Sequence, residues 1–332
     1  MKIHTCTFLL LLLSPFSGRK ELEFAPTARI TSSPQKLNNE KPGLKNIIFK
    51  STDGGQTWQD ISEGLPENFK ENGFYANDQG IYLLYGNGVY HRNINSQSPF
   101  WEKEILINKQ PNIAPGDSSL FAYGNDGPFL QKINGTRVWS PLYSNFQGGA
   151  IHALLETKGG SVFICSDRGL YKSDKSGKSW KQVHTGGWVM KLAESNGVLL
   201  ATSQGGILRS TDEGEHWDLV ISEGGVGIAV ECINGGFAAI TYNTESKTRR
   251  VRISYDGGKT WSPIDAGLPP SLSIASIIQA GENFYCGHPD GIFRSSDQGK
   301  SWSLMLPSVE NKVFNLTVSG KVIYAIPRDG GC

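Results

Sequence analysis

Charge is scarce in this chain of 332 residues. Asp, Glu, Lys and Arg make up 19% of it and almost cancel, leaving a formal net charge of +1. So weak a field excludes the general attraction that gathers proteins on nucleic acid or an anionic membrane. No basic stripe interleaved with aromatics appears either. Cysteine is equally sparse, at five, and its spacing offers neither a C-x-x-C metal pair nor a disulfide framework. The six histidines form no metal-binding cluster, and there is no Gly-x-Ser-x-Gly elbow or phosphate-cradling glycine loop. No metal, cofactor or nucleic-acid partner is expected. Apolar runs long enough to cross a bilayer are also missing.

The one dense apolar run is short and lies at the start. Lys2 and His4 precede Phe8-Leu9-Leu10-Leu11-Leu12-Leu13, and Ser14, Pro15, Ser17 and Gly18 follow. A charged start, a brief apolar core and a small-residue end read as an export signal over residues 1–18. The alternatives are an uncleaved anchor or a buried N-terminal strand. Cys6 precedes the core, so it is not a lipidated cysteine beyond a cleavage site. Export places the mature chain outside the cell, in a periplasm or on a cell surface. Residues 19–43 are polar, with Pro26, Pro34, Pro42 and the run Asn38-Asn39-Glu40-Lys41, and read as a flexible tether.

Glycine, by contrast, is abundant, with 40 copies, which suits short strands joined by tight turns. Many of these glycines sit in a repeated octapeptide. Ser254-Tyr255-Asp256-Gly257-Gly258-Lys259-Thr260-Trp261 recurs from Ser51 through Asp53 to Trp58, from Ser210 through Asp212 to Trp217, and from Ser295 through Asp297 to Trp302. A fifth copy, Ser173 to Trp180, has Lys175 in place of the Asp. Four copies follow a β-prone run ending in a cation: Lys50, Lys172, Arg209 and Arg294. A strand ending in Asp and Gly and resuming at an aromatic is a hairpin signal. The Asp carboxylate accepts backbone amides two or three residues on, Gly supplies positive φ, and the Trp folds back as an apolar plug on its own hairpin. This device is structural and needs no substrate.

The octapeptide resembles the Asp-box, or bacterial neuraminidase repeat, found in sialidases, some endoglucanases, sortilin-type receptors and photosystem II assembly factors. The resemblance implies a β-propeller. It leaves the activity open, because one fold hosts many functions.

Two degenerate hairpins, Gly88-Val89-Tyr90-His91 leading to Trp101 and Gly127-Pro128-Phe129-Leu130 leading to Trp139, keep the same frame. Anchoring tryptophans then stand at 58, 101, 139, 180, 217, 261 and 302, with intervals of 43, 38, 41, 37, 44 and 41 residues. Each interval fits one four-stranded blade. The expected fold is all-β: a seven-bladed propeller of antiparallel blades over residues 44–332. Strand a is placed at Ile151–Leu155, Val189–Leu192 and Ile274–Ile278 in three of the blades. The last blade takes two strands from each end of the chain, so that no sheet edge is left open. Cys165 and Cys286 occupy matching strand ends in different repeats, and both are expected to be buried and free. Cys232 and Cys332 complete the mature set.

In a propeller the b–c and d–a loops share one face, and the octapeptides lie on the other. Function is therefore sought in Tyr85, Asn87, Tyr123, Asn125, Asp126, Asp167, Arg168, Gln204, His288, Asp290, Arg328 and Asp329 on b–c turns. Tyr143, Phe146 and Trp188 lie on d–a loops. A long cationic b–c excursion, Tyr242 to Arg250, adds to these, and its cluster Lys247, Arg249, Arg250 and Arg252 reads as a solvated edge strand or a surface for an acidic partner. In a carbohydrate site Trp188 and Phe146 stack on sugars, with Tyr123, Tyr242 and His288 alongside. Arg168, Arg250 and Arg328 clamp a carboxylate, and Asp126, Asp167, Asp290 or Asp329 supply acid and base. The plainer reading makes each a polar turn residue. His152 on strand a reads as a core histidine. Asn134 and Asn315 are glycosylation acceptors only in a eukaryotic secretory pathway.

The sialidase likeness falters at its own motif. That family's Arg-Ile-Pro is matched here only by Arg29-Ile30-Thr31 and, in the wrong order, by Ile326-Pro327-Arg328. No Tyr–Glu nucleophile pair stands out beyond Tyr242 with Glu231 or Glu245. Sialidases also have six blades. The reading is thus an exported, non-catalytic, monomeric propeller that binds a protein or glycan through its loop face. A sialidase-type glycoside hydrolase is the alternative, and a purely structural surface module is a third.

Overall fold

The computed structural model describes residues 46–66, 71–77, 80–85, 88–93, 101–106, 111–116, 119–124, 129–134, 136, 138–142, 146–174, 177–222 and 225–330. Residues 1–45, which carry the export signal and tether, lie outside them, as do Cys332, Asn87, Asn125, Asp126 and Tyr143.

Seven four-stranded antiparallel sheets form the molecule. Blade 3 is representative, with strands a to d at Ile151–Glu156, Val162–Ser166, Gly169–Ser173 and Lys181–His184. Strand b is buried throughout in this blade, and strand d has no buried residue. The apolar runs therefore sit in the middle of each sheet, packed between neighbouring blades, while the outer strands meet water. Strand a of every blade contacts strand a of the next, all the way round, which closes the ring.

Closure is made by the two chain ends. Blade 7 is ordered Val313–Ser319, Val322–Arg328, Phe49–Ser51 and Gln59–Asp60. Phe49 pairs with Ala325, Lys50 with Tyr324 and Ser51 with Ile323. Each innermost strand from the C-terminal part thereby gains its outer partners from the N-terminal part, as the repeat count requires.

Three details depart from expectation. Strand a of blades 4 and 6 begins two or three residues late, at Leu192 and Ser276, because side-chain hydroxyls and loop contacts hold the preceding residues. Met190 and Lys191 donate their amides to Thr202 Oγ1 instead of a strand partner. The cationic excursion is not a loose loop. Its strands Gly236–Asn243 and Thr248–Ser254 run as one long hairpin with a turn at residues 244–247. Nor is it an edge: Thr248–Ser254 lies inside the sheet, and Arg249 and Arg252 are buried. Arg252 Nη1 donates to Thr241 Oγ1 at 2.6 Å.

The four octapeptides that keep the Asp are each wired as one closed turn. Ser254 Oγ donates to Asp256 Oδ1 (2.8 Å) and accepts from the Gly258 amide (2.8 Å). Asp256 also accepts the Lys259 and Thr260 amides and the Thr260 hydroxyl (2.6 Å). Asp53, Asp212 and Asp297 repeat the pattern. The Thr260 hydroxyl and amide hold the Asp256 carboxyl well below the usual carboxylate range. Six of the anchoring tryptophans fall into two groups. Trp58, Trp217 and Trp261 donate to the Gly55, Gly214 and Gly258 carbonyls of their own turns. Trp101, Trp139 and Trp302 instead reach the preceding blade, at the Ile61 carbonyl, Glu104 and the Ile264 carbonyl.

Candidate functional site

The antiparallel order places the b–c and d–a connections on the face opposite the octapeptides. One group there is built by blades 3 and 4. The Val189 amide donates to Ser166 O at 2.8 Å, which pins the d–a segment carrying Trp188 and Met190 beside the b–c turn carrying Asp167 and Arg168. That turn is itself fixed: Asp167 N donates to Ala150 O, Arg168 N to Ser166 Oγ, and Gln182 Nε2 to Arg168 O (2.7 Å). Two glycines allow the close approach. A Cβ on Gly149 would stand 2.0 Å from Asp167 Oδ1, and one on Gly187 would stand 2.2 Å from Gln204 Oε1. Asp167 and Arg168 are exposed, Trp188 is half-buried, and Met190 is 40% exposed. An indole, a thioether, a guanidinium, a carboxylate and an amide thus share one rigid patch.

A second group joins blades 5, 6 and 7 around the d–a loop over residues 264–275. Arg250 forks onto Asp265, with Nε to Oδ2 at 2.6 Å and Nη2 to Oδ1 at 3.1 Å. The Val251 amide donates to the same carboxylate. Arg249 donates its amide to Ser271 O and Nη1 to Ile274 O (2.6 Å). His288 Nε2 donates to Pro269 O at 2.9 Å, and its Nδ1 accepts the Asp290 amide. Burial pushes the His288 imidazole below its ordinary pKa, so the ring is neutral and both nitrogens are used. Asp290, Arg328 and Asp329 are exposed at the rim of this group.

The other sequence-predicted residues fall elsewhere. Tyr123 is buried and stacked on Phe129 at 6.3 Å, and burial raises its phenol pKa. Phe146 packs edge-on against Tyr171 (5.0 Å) and Trp180 (5.6 Å). Tyr242 is half-buried on its strand, opposite Arg249. Gln204 lies on a b–c connection as expected, whereas Tyr85 is the last residue of strand b, paired with Gly88 of strand c. Asp265, Thr202 and Met190 were not legible as site-builders. Each acts on a partner more than ten residues away or stands next to one that does. Among the described residues no group of three or more His, Cys, Asp or Glu side chains could hold a metal. None of the described helices is long and apolar enough to cross a membrane, since no helix is described.

The BNR/Asp-box repeat model matches residues 49–60 and 252–263. Mouse sortilin is 26% identical over 160 residues, which cover 43% of this chain and 19% of sortilin. Among solved structures, YCF48 bound to D1 peptide superposes with a TM-score of 0.56 at 12% identity, over 80% of this chain and 96% of that one. The GH74 xyloglucanase of Xanthomonas campestris superposes with a TM-score of 0.62 at 15% identity, over 82% and 53%. At these identities the structures speak for the fold. Repeat matches and blade geometry agree: the chain is a seven-bladed β-propeller built on BNR/Asp-box repeats.

Proposed function

We propose that this protein is an exported, non-catalytic, monomeric propeller that binds a protein or glycan through its b–c and d–a loop face. The observation that carries the reading is the patch of Asp167, Arg168, Trp188, Met190 and Gln204, held by the Val189–Ser166 hydrogen bond. Aromatic, Met and Arg side chains on a rigid support are the composition of protein-binding hot spots. The peptide carried by YCF48 and the partial likeness to sortilin support a binding role on this fold.

The hydrolase reading is weaker for physical reasons. A glycosidase acid needs a carboxyl whose pKa is raised by an apolar surrounding. Asp167, Asp290 and Asp329 are open to water. Arg250, the third arginine of the supposed clamp, is already forked onto Asp265.

The test is selection from a displayed library of unstructured peptides, run in parallel with a glycan array. Ligands enriched by the wild type should be lost on Trp188→Ala and Arg168→Ala, with circular dichroism unchanged. Turnover of aryl glycosides that Arg168→Ala and Arg328→Ala abolish would replace the binding reading with the enzymatic one.

A further inference from the structure

Two blades of this ring carry the same cross-strand pair directly before the octapeptide, a tyrosine on strand b opposite a cation on strand c. In blade 6 the pair is Tyr285 and Arg294; in blade 7 it is Tyr324 and Lys50. Partners directly opposite on antiparallel strands hold their side chains on one face, near enough to act together.

In blade 6 both members serve one acceptor. Tyr285 Oη donates to the Gly54 carbonyl at 2.9 Å, and Arg294 Nη1 donates to the same oxygen at 3.3 Å. Gly54 belongs to the octapeptide of blade 7, so the pair grips the turn of the next blade. Blade 7 faces blade 1, which has no octapeptide. There the pair is intact, and no acceptor for the tyrosine lies among the described residues. Tyr324 is 0% exposed, and its hydroxyl has no hydrogen-bond partner among the described residues. A buried donor left so is costly and uncommon. Lys50, half-buried, is given no acceptor among the described residues.

A second cation stands in the same place. Arg92, at the end of strand c of blade 1, donates Nη1 to the Ile61 carbonyl at 3.2 Å. Trp101 Nε1 donates to the same carbonyl. Ile61 is hydrogen-bonded to Ile48, and Ile48, Tyr324 and Ile326 lie in one apolar cluster against blade 1. Lys50 therefore shares the blade 7 face that Arg92 approaches. Burial and the nearby Arg92 both lower the Lys50 pKa, and burial pushes the Tyr324 phenol up to about 12. Burial lowers the Arg92 pKa, while exposed Glu63 works the other way without making an ion pair with it among the described residues.

We propose that Lys50, Arg92 and Tyr324 form a binding site for a small oxyanion, a carboxylate in the first place, at the junction of blades 7 and 1. The tyrosine–cation pair already binds a carbonyl oxygen in blade 6. The second cation makes an anionic oxygen the better fit, since charge-assisted hydrogen bonds are the stronger ones. The site lies on the octapeptide side of the ring, away from the loop face, so it stands or falls independently of the function proposed above.

The experiment uses protein with tyrosine labelled at 13Cζ, titrated with sodium acetate and separately with sodium phosphate, both against sodium chloride at fixed ionic strength. One tyrosine resonance, missing from Tyr324→Phe, should shift and saturate. Lys50→Gln and Arg92→Gln should each weaken that titration at least tenfold. Saturation by acetate alone marks a carboxylate site, and saturation by both marks a general oxyanion site. No saturable shift, or one that survives both cation substitutions, overturns the proposal. Tyr324→Phe also reports through stability, because it removes an unpartnered hydroxyl and should fold at least as well as the wild type. Its melting temperature should then lose the acetate-dependent rise that the wild type displays. An equal rise in both proteins counts against the site.

Discussion

Arg209 Nε donates to the Gly257 carbonyl across a blade boundary, at 2.6 Å. Arg209 is the last residue but one of strand c of blade 4, and Gly257 lies in the octapeptide of blade 5. The same position in blade 6, Arg294, reaches Gly54, and in blade 3 Lys172 reaches Glu215 Oε1 at 2.8 Å. In blades 3, 4 and 6 the cation before the octapeptide thus ties its own blade to the next turn along the ring. Blade 5 has Ile253 at this position, and there the link runs backwards: Trp302 of blade 6 donates to Ile264.

Replacing Arg209 by Met should therefore loosen the ring more than its part-buried position suggests. A hydrogen bond from a charged group is worth about 1.5–3 kcal/mol. The expected fall in melting temperature is several degrees, about 2–4 °C for each kcal/mol in a chain of this class. Lys259→Met alters an exposed residue in the turn that Arg209 grips, and it should stay within about 0.5 kcal/mol of the wild type. Equal effects of the two substitutions in a thermal melt would refute the cross-blade role.

Trp302 and Trp261 offer a second contrast. The indole of Trp302 is buried and hydrogen-bonded to the neighbouring blade at 2.7 Å, while Trp261 is half-buried and bonded within its own turn at 3.1 Å. Phe fills much of either space but donates nothing. Trp302→Phe leaves the Ile264 carbonyl without its donor in a buried place, at a cost of about 1–3 kcal/mol beyond lost packing. Trp261→Phe should cost about half as much or less. Urea midpoints of the two variants, with slopes compared, decide this.

Blade number and closure were legible because they follow from local chemistry repeated at a fixed interval. Asp256, Gly258 and Trp261 close their turn within eight residues, so the pattern survives in one dimension. The cross-blade links were half legible. Lys50, Lys172, Arg209 and Arg294 recur at one place before the octapeptide, and a repeated cation implies a repeated acceptor. That acceptor lies 43 or 48 residues on for Lys172 and Arg209, about one blade further, where no short-range pattern reveals it. Arg249 and Arg252 misled for the opposite reason. A cluster of cations on a strand looks solvated until the sheet order shows it has a neighbour on each side. The candidate site was legible as exposed turn residues at Asp167, Arg168 and Trp188. Their grouping depends on one backbone hydrogen bond, Val189 to Ser166, that no residue type announces.

Blades 1 and 2 have no octapeptide, and a part-buried carboxylate takes over the joining of the two. Glu104, the bulged residue on strand d of blade 1, accepts from Lys132 Nζ at 2.8 Å and Trp139 Nε1 at 3.0 Å, both in blade 2, and contacts His91 Nδ1 at 3.2 Å. Burial works to raise its pKa, but the hydrogen bonds from His91, Lys132 and Trp139 prevail and bring it down to about 2. The sign follows from linkage. A carboxyl with a folded pKa near 2 and an ordinary one near 4.5 adds stability that is fully present above about pH 4.5 and is lost as pH falls towards 2. Glu104→Gln keeps the shape and removes the charge. It should lower the melting temperature at pH 7, because Lys132, only 6% exposed, is left buried without its counter-charge, a loss of about 3–5 kcal/mol. The octapeptide carboxylates Asp212 and Asp256 also lie below their usual range and will tilt both curves alike. The gap between wild type and variant should therefore narrow as pH falls from 4.5 to 2.5, and melts across that range test it. A gap that stays constant would mean that the Glu104 charge does not hold the two blades together.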